Sequence, residues 1–276
     1  MFPRVSYPGI SFNDNPYFML DGVPGLSGGS IRRESFDMPL ADYGVYVSTY
    51  YGQRAFALEG MIIATTIQEF VDKRDQLSAA FTPFNGEQPL VFEYDSRPTR
   101  QIKAVVSDKP DFDPTPDSPF ACAFHIPMMA SFPFLTGASD TTISLSLSVT
   151  GGGTVPATVP MSLSMNSGGS AFFTNTGSAP SYSTAHIPGP VVNPSLRNIT
   201  TGQDMLFNLT LLAGQYLNID FRAHRVSDDT GRSRGGQFRG KWWKVGTGVT
   251  EVRFVADSND PSVSAQITLP ITYLNA

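Results

Sequence analysis

Hydrophobic positions fall in two rhythms along the first half of the chain. Gly44–Tyr51 and Arg54–Ile63 are dense in Tyr, Val, Phe and Ile. Such residues fit a pleated, half-buried surface, so both stretches predict strands. The period then lengthens: Ile67, Phe70, Val71, Leu77 and Phe81 recur at helical spacing, with Asp72, Lys73, Asp75 and Gln76 elsewhere. This predicts one helix whose apolar stripe is a packing face. Thr66 and Glu69 form a capping box, the hydroxyl accepting from the Glu69 amide while the carboxylate reaches back. Pro83 and Asn85-Gly86 end the helix. Gln88–Tyr94 and Arg100–Val106 flank a turn at 95–99 and predict a hairpin, and Phe120–Ala130 predicts the last strand of this half. Turn residues fill Asn13-Asp14-Asn15-Pro16, Asp21–Gly25 and Asp108–Pro119, which read as loops.

The pattern changes near residue 136. From Ala138 to Thr184, Ser, Thr and Gly dominate, and Glu, Lys and Arg are absent. Thr141–Val149 alternates without a break, Ile143, Leu145, Leu147 and Val149 against Ser144, Ser146 and Ser148, the period of a strand with one buried face. Gly151–Gly153 reads as a turn and Val155–Met165 as a second strand, which Pro156 and Pro160 favour at a sheet edge. Further short strands are predicted at Thr184–Ile187, Val191–Asn193, Met205–Leu211, Gln215–Asp220, Glu251–Ala256 and Ser264–Tyr273, with no helical period after 136. The fold class is therefore mainly β. An α+β N-terminal domain with one helix occupies 1–136, and a β-sandwich of jelly-roll type occupies 137–276.

Composition narrows the chemistry. Charged residues make up 16% of the 276, against about 25% in average soluble proteins. With 20 Phe and 10 Tyr, this points to extensive half-buried β surface and subunit contact. A net charge of -5 gives no electrostatic reason for a nucleic-acid partner. No stretch approaches the ~20 apolar residues that span a bilayer, and the start lacks the pattern of a signal peptide, so a soluble protein made in a cytoplasm is expected. The single cysteine, Cys122, excludes an intrachain disulfide and sits in the apolar run 120–124 as a buried, inert thiol.

Catalytic patterns are weak. Gly25-Leu26-Ser27-Gly28-Gly29 fits G-x-S-x-G, but a nucleophile elbow needs a strand before and a helix after it, and this string lies in a loop. His125, His186 and His224 lack the spacing that puts two imidazoles on one helix face. The acidic clusters Asp108–Asp117 and Asp257–Asp260 do not fit a calcium loop and read as solvated turns. No catalytic residue, metal site or cofactor is expected. The most charged stretch, Arg222–Lys244, reads as a mobile hairpin whose basic tip pairs with a neighbouring subunit; its Trp242-Trp243 pair offers an alternative, a sugar-stacking platform.

Taken in order, a spaced series of strings resembles the distal tail protein family of long-tailed bacteriophages. In the first half these are Phe18–Gly22, Tyr51–Gly60, Arg74-Asp75-Gln76-Leu77, Pro89–Phe92 and Arg100–Ala104. In the second half, Asn175-Thr176-Gly177, His186–Pro190, Asn193–Gly202 and Leu212–Asp220 are similar to that family's galectin-like domain. Arg232–Lys244 and Gly246–Thr250 depart from it. The resemblance implies a non-enzymatic virion component at the distal end of the tail, assembled in the host cytoplasm. It implies a hexameric ring of N-terminal domains, stacked on the tail tube and on the tail-tip hub of the baseplate. The second domains then project outward, where a receptor-binding protein is a further candidate partner. Tyr46, Tyr50, Tyr51 and Arg54 are the candidate ring contacts. The competing readings are a carbohydrate-binding sandwich using Trp242 and Trp243, another ring-forming tail protein, and a hydrolase using Ser27.

Overall fold

A computed structural model of the chain describes residues 3–40, 42–115, 118–147, 169–257 and 262–275. It divides into two compact units, Met1–Ala138 with Tyr273–Ala276, and Ser139–Thr272.

The first unit opens with three short strands, β1 (Arg4–Tyr7), β2 (Ile10–Phe12) and β3 (Phe18–Gly22). The sequence predicts loop there. The turn residues do turn, but the pieces between them are three to five residues long, too short for a period to show. Their alternation nevertheless sends Val5, Tyr7, Ile10, Phe12, Phe18 and Leu20 inward. Asn13 ties the turn between β2 and β3: its Nδ2 donates to the Pro3 carbonyl at 3.1 Å and its Oδ1 accepts from the Leu20 amide at 2.8 Å. Then follow β4 (Ile31–Asp37), β5 (Gly44–Tyr51), β6 (Arg54–Ile63), helix α1 (Ile67–Ala80), β7 (Gln88–Glu93), β8 (Arg100–Val106), β9 (Asp111–Pro114), β10 (Ala121–Ala130) and the start of β11 (Leu135–Ser146). Strand β9 pairs with β10 where the sequence predicts an acidic loop.

β6 and β10 run antiparallel along their full length, from Ile63 opposite Ala121 to Arg54 opposite Ala130. β3 continues the sheet beyond β6, and β8 beyond β10. Gly60 lets β3 and β6 close up, because a Cβ there would overlap the Met19 carbonyl oxygen and lie 2.6 Å from the Phe124 ring. The core gathers Phe12, Phe18, Leu58, Ile62, Phe92, Ile126 and Met128, with Leu77 and Phe81 delivered by α1. Each such side chain contributes about 1.5–3 kcal/mol on burial. Tyr7 stacks on Phe81 at 4.2 Å.

The capping box forms with one change. The Glu69 amide donates to Thr66 Oγ1 at 3.2 Å, but the Glu69 carboxylate accepts from the amide and hydroxyl of Thr65, at 2.9 and 2.7 Å. Those bonds hold its pKa down to about 2. Of the apolar stripe, Leu77 and Phe81 are buried and Phe70 packs on the core, while Ile67 stays exposed. Cys122 is buried, and burial raises its pKa.

The second unit contains the rest of β11, then β12 (Ser170–Asn175), β13 (Thr184–Pro188), β14 (Val191–Val192), β15 (Ser195–Asn198), β16 (Gln203–Phe207), β17 (Thr210–Leu211), β18 (Tyr216–Asp220), β19 (Arg225–Asp228), β20 (Phe238–Gly240), β21 (Gly248–Val255) and β22 (Ser264–Tyr273). One sheet runs β19-β18-β13-β22-β11 and the other β12-β21-β15-β16-β20. Leu145, Ile187, Leu217, Ile219, Ile267 and Leu269 from the first meet Phe173, Leu196, Phe207, Val252 and Phe254 from the second in one core, so this unit is a two-sheet sandwich. Of the alternating strand predicted at Thr141–Val149, the part to Ser146 forms the end of β11 with Leu145 turned inward and Leu147 buried just beyond it, while 148–149 lie outside the described residues. The predicted glycine turn at 151–153 and strand at 155–165 lie outside the described residues.

Candidate functional site

The first unit carries an exposed two-stranded ribbon. β4 pairs only with β5 among the described strands, from Ile31 opposite Tyr51 to Asp37 opposite Gly44, with an irregularity after Glu34. Every β4 residue is exposed. The ribbon is held at its base by Gly52 N–H donating to the Ser30 carbonyl at 2.8 Å and Ser30 Oγ donating to the Gln53 carbonyl at 2.7 Å. Tyr51 adds an edge contact to Phe134 at 5.2 Å. Along the ribbon, Ser48 Oγ donates to Glu34, and the Arg32 guanidinium sits 5.6 Å over the Tyr50 ring.

Most of its apolar side chains stay open to solvent. Ile31, Phe36, Tyr43, Tyr46, Val47 and Tyr50 are each half or more exposed, Tyr46 at 62%. A lone two-stranded hairpin is marginal in water, and a contiguous exposed apolar patch marks an interaction surface. The sequence predicts β5 and misses β4, because Ile31-Arg32-Arg33-Glu34-Ser35-Phe36-Asp37 has no inward face to impose a period.

Of the four candidate contact residues, Tyr46, Tyr50 and Tyr51 lie on this ribbon. Arg54 does not belong with them. It is 0% exposed, and its guanidinium donates to the Leu26 carbonyl at 2.8 Å and the Leu274 carbonyl at 2.6 Å. It is an internal clamp, and burial lowers its pKa. Arg100 repeats the device on the same tail: it donates to the Asn275 carbonyl at 2.5 Å and covers the Tyr273 ring at 4.0 Å. The glycine string around Ser27 is the acceptor side of this clamp. Gly25 has a φ of 85°, and a Cβ there would lie 2.6 Å from the Ala55 carbonyl oxygen. Ser27 is followed by β4, not by a helix, so no nucleophile elbow is built.

The other candidates resolve into structural roles. His125 Nδ1 lies 3.1 Å from Glu59 and His186 Nδ1 lies 2.9 Å from Asn218. No group of three or more potential metal ligands occurs among the described residues. Trp243 is buried at 2% exposure, and Trp242 is stacked on His224 at 4.9 Å and Phe238 at 4.6 Å. The pair therefore presents no open ring platform for a sugar. The basic stretch containing them folds back on its own carboxylate. Asp228 accepts from the Thr230 hydroxyl and amide, the Arg232 amide and Arg234 Nε, at 2.7, 3.1, 2.9 and 2.8 Å. The Thr230 hydroxyl leads in holding its pKa down to about 2.

Several strings that carried the family resemblance act as staples. Asn175 Nδ2 donates to the carbonyls of Ala179 and Gly246, and its Oδ1 accepts from Gly177. Asn198 Oδ1 accepts from Thr201, and Gln215 Oε1 accepts from the Leu212 amide.

A mainly β chain of two units, with one α-helix and an exposed β4–β5 ribbon among the described residues, is thus the class that the fold defines. The same fold is seen in the crystal structure of the Dit protein (gp 19.1) of phage SPP1, described as a paradigm of the hub adsorption apparatus of phages infecting Gram-positive hosts. That comparison gives a TM-score of 0.69 at 13% identity, over 99% of this chain and 100% of that one. Chains of the phage P2 baseplate in its activated conformation, with Ca or Sr, align over 97% of this chain at TM-scores of 0.42 and 0.41 and identities of 8% and 9%. No protein-family profile and no curated protein matches the sequence.

Proposed function

We propose that this chain is a structural, non-enzymatic component of a bacteriophage tail tip. It closes into a ring through the β4–β5 ribbon and joins the tail tube to the baseplate hub, with the second unit as its outward module. The observation that carries the reading is the ribbon, whose apolar faces need a partner surface. The shared fold with a phage adsorption-hub protein over the full length of both chains supports it. A ribbon that inserts into a different patch on the next copy makes a head-to-tail contact, and such contacts close into rings when the rotation allows. Full burial of a large side chain contributes ~1.5–3 kcal/mol, so covering the half-exposed set along the ribbon works against an association cost of about 4–15 kcal/mol.

Light scattering of the full chain and of a Phe36→Glu/Tyr46→Glu variant tests the proposal. The parent is expected at a multiple of 29.9 kDa and the variant at the monomer mass. A parent that stays monomeric at high concentration, or a variant that assembles unchanged, refutes ring closure through the ribbon.

A further inference from the structure

The base of the β4–β5 ribbon is closed by a segment far away in sequence. The chain enters the ribbon through Leu26–Ser30 and leaves it through Gly52–Arg54. Arg54 donates with one arm to the Leu26 carbonyl and with the other to the Leu274 carbonyl, 220 residues on, so one buried side chain ties both legs to the returning chain. With its amide nitrogen turned toward the carbonyls, Asn275 donates to Ser27 at 2.7 Å, a second tie on the entering leg. Arg100 holds the segment in place through the Asn275 carbonyl and the Tyr273 ring.

Residues 273–275 follow β22, which brings the chain back from the second unit. The outgoing chain borders the same base. Tyr51, which ends β5, meets Phe134 edge-on at 5.2 Å, just before β11 begins. A Cβ on Gly29 would lie 3.2 Å from Pro133, so the entering leg runs against this stretch as well. Without 273–275, the legs keep the Gly52–Ser30 and Ser30–Gln53 bonds, the latter at an exposed serine. Arg54 then keeps only the Leu26 carbonyl. A buried guanidinium with half its acceptors gone is costly, which favours its escape to water and the loss of the Leu26 bond too.

We propose that residues 273–275 are a latch on the ribbon, which takes its assembling shape only after the second unit has been made and has returned the chain to the first. The proposal rests on the ribbon being the contact surface. During synthesis the first unit emerges first and folds first. A rigid apolar ribbon at that stage would join unfinished chains, whereas a loose one must also be ordered at the contact and binds weakly.

Hydrogen exchange in the full-length Phe36→Glu/Tyr46→Glu background, where no ring covers the ribbon, reads the latch directly. Deletion of 274–276 is expected to lower protection of Gly52 and of the adjoining ladder amides at 31–33 and 49–51 about tenfold, the factor that one charged hydrogen bond represents, with β6 and β10 unchanged. Arg100→Gln/Asn275→Ala, which leaves Arg54 and the chain length alone, is expected to lower it about threefold, and decides the matter if the deletion unfolds the first unit. Base amides that exchange equally in the parent and the folded variant overturn the latch. With Phe36 and Tyr46 intact, light scattering is expected to show weaker assembly after the deletion; equal assembly also overturns it. An unmodified chain that stays monomeric refutes ring closure instead, and the exchange result then judges the latch alone.

Discussion

Arg54 is a buried cation with no carboxylate partner among the described residues, and the Arg54→Met substitution tests how the first unit holds its C-terminal tail. Methionine fills much of the same space, so the main change is the loss of two charged donors. Hydrogen bonds to charged groups contribute about 1.5–3 kcal/mol each, a gross loss of roughly 3–6 kcal/mol for the Leu26 and Leu274 carbonyls. Two effects reduce it. The guanidinium no longer has to be stripped of water, a relief of several kcal/mol that is larger here because Nε is already unpaired. The Leu274 carbonyl is only partly buried and can turn to water. The net expectation is a destabilisation of about 2 kcal/mol, which at a urea slope of ~2 kcal/mol/M lowers the midpoint by about 1 M. Far-ultraviolet circular dichroism should report the shift. Tryptophan fluorescence should move little, because both tryptophans lie in the second unit. An Arg54→Met variant as stable as the parent, with residues 273–275 equally protected from hydrogen exchange, refutes the clamp.

Two further expectations use the same logic. Asp228 has its pKa depressed, so its bonds add stability above the unfolded value near 4, and that stability is lost as pH falls through about 2. Asp228→Asn should flatten the acid limb of a stability–pH curve between about 4 and 2, and an unchanged limb removes Asp228 as its source. Gly60→Ala should impair folding of the first unit by several kcal/mol, the range seen for overpacking and strain, since the overlapped Met19 carbonyl is backbone and cannot step aside. Soluble protein with a parental unfolding midpoint would contradict the close approach of β3 and β6.

Where a segment buries one face, its pattern is visible in the sequence. β6, β7, β8, β10 and the alternating β11 sit where Phe, Ile, Leu and Val recur every second position, and α1 where they recur at helical spacing with a capping threonine. Where burial is absent or brief, the pattern fails. β4 is exposed on both faces, β9 is written in Asp and Pro, and β1–β3 hold too few residues to repeat. The candidate site divides in the same way. Tyr46, Tyr50, Tyr51 and Arg54 are grouped by the ring that the family resemblance implies, and the structure puts the three tyrosines on the ribbon and Arg54 in the interior. The burial of Arg54 and Trp243 could not be read from residue type alone, since a guanidinium or an indole can equally face solvent or close a core.

By itself, the sequence determined the mainly β character, the single capped helix, the change of pattern near residue 136 and the weakness of any catalytic pattern. Those properties follow from spacing and composition, which act over a few neighbouring residues. Only the tertiary structure decided that Arg54 grips the chain's last residues, that Asp228 gathers the basic stretch, that Trp243 is buried with an unpaired N–H, and that the β4–β5 ribbon has no third strand among those described. Each joins residues distant in sequence or depends on which neighbours are absent. Contact and exclusion of that kind are set by packing, not by local propensity.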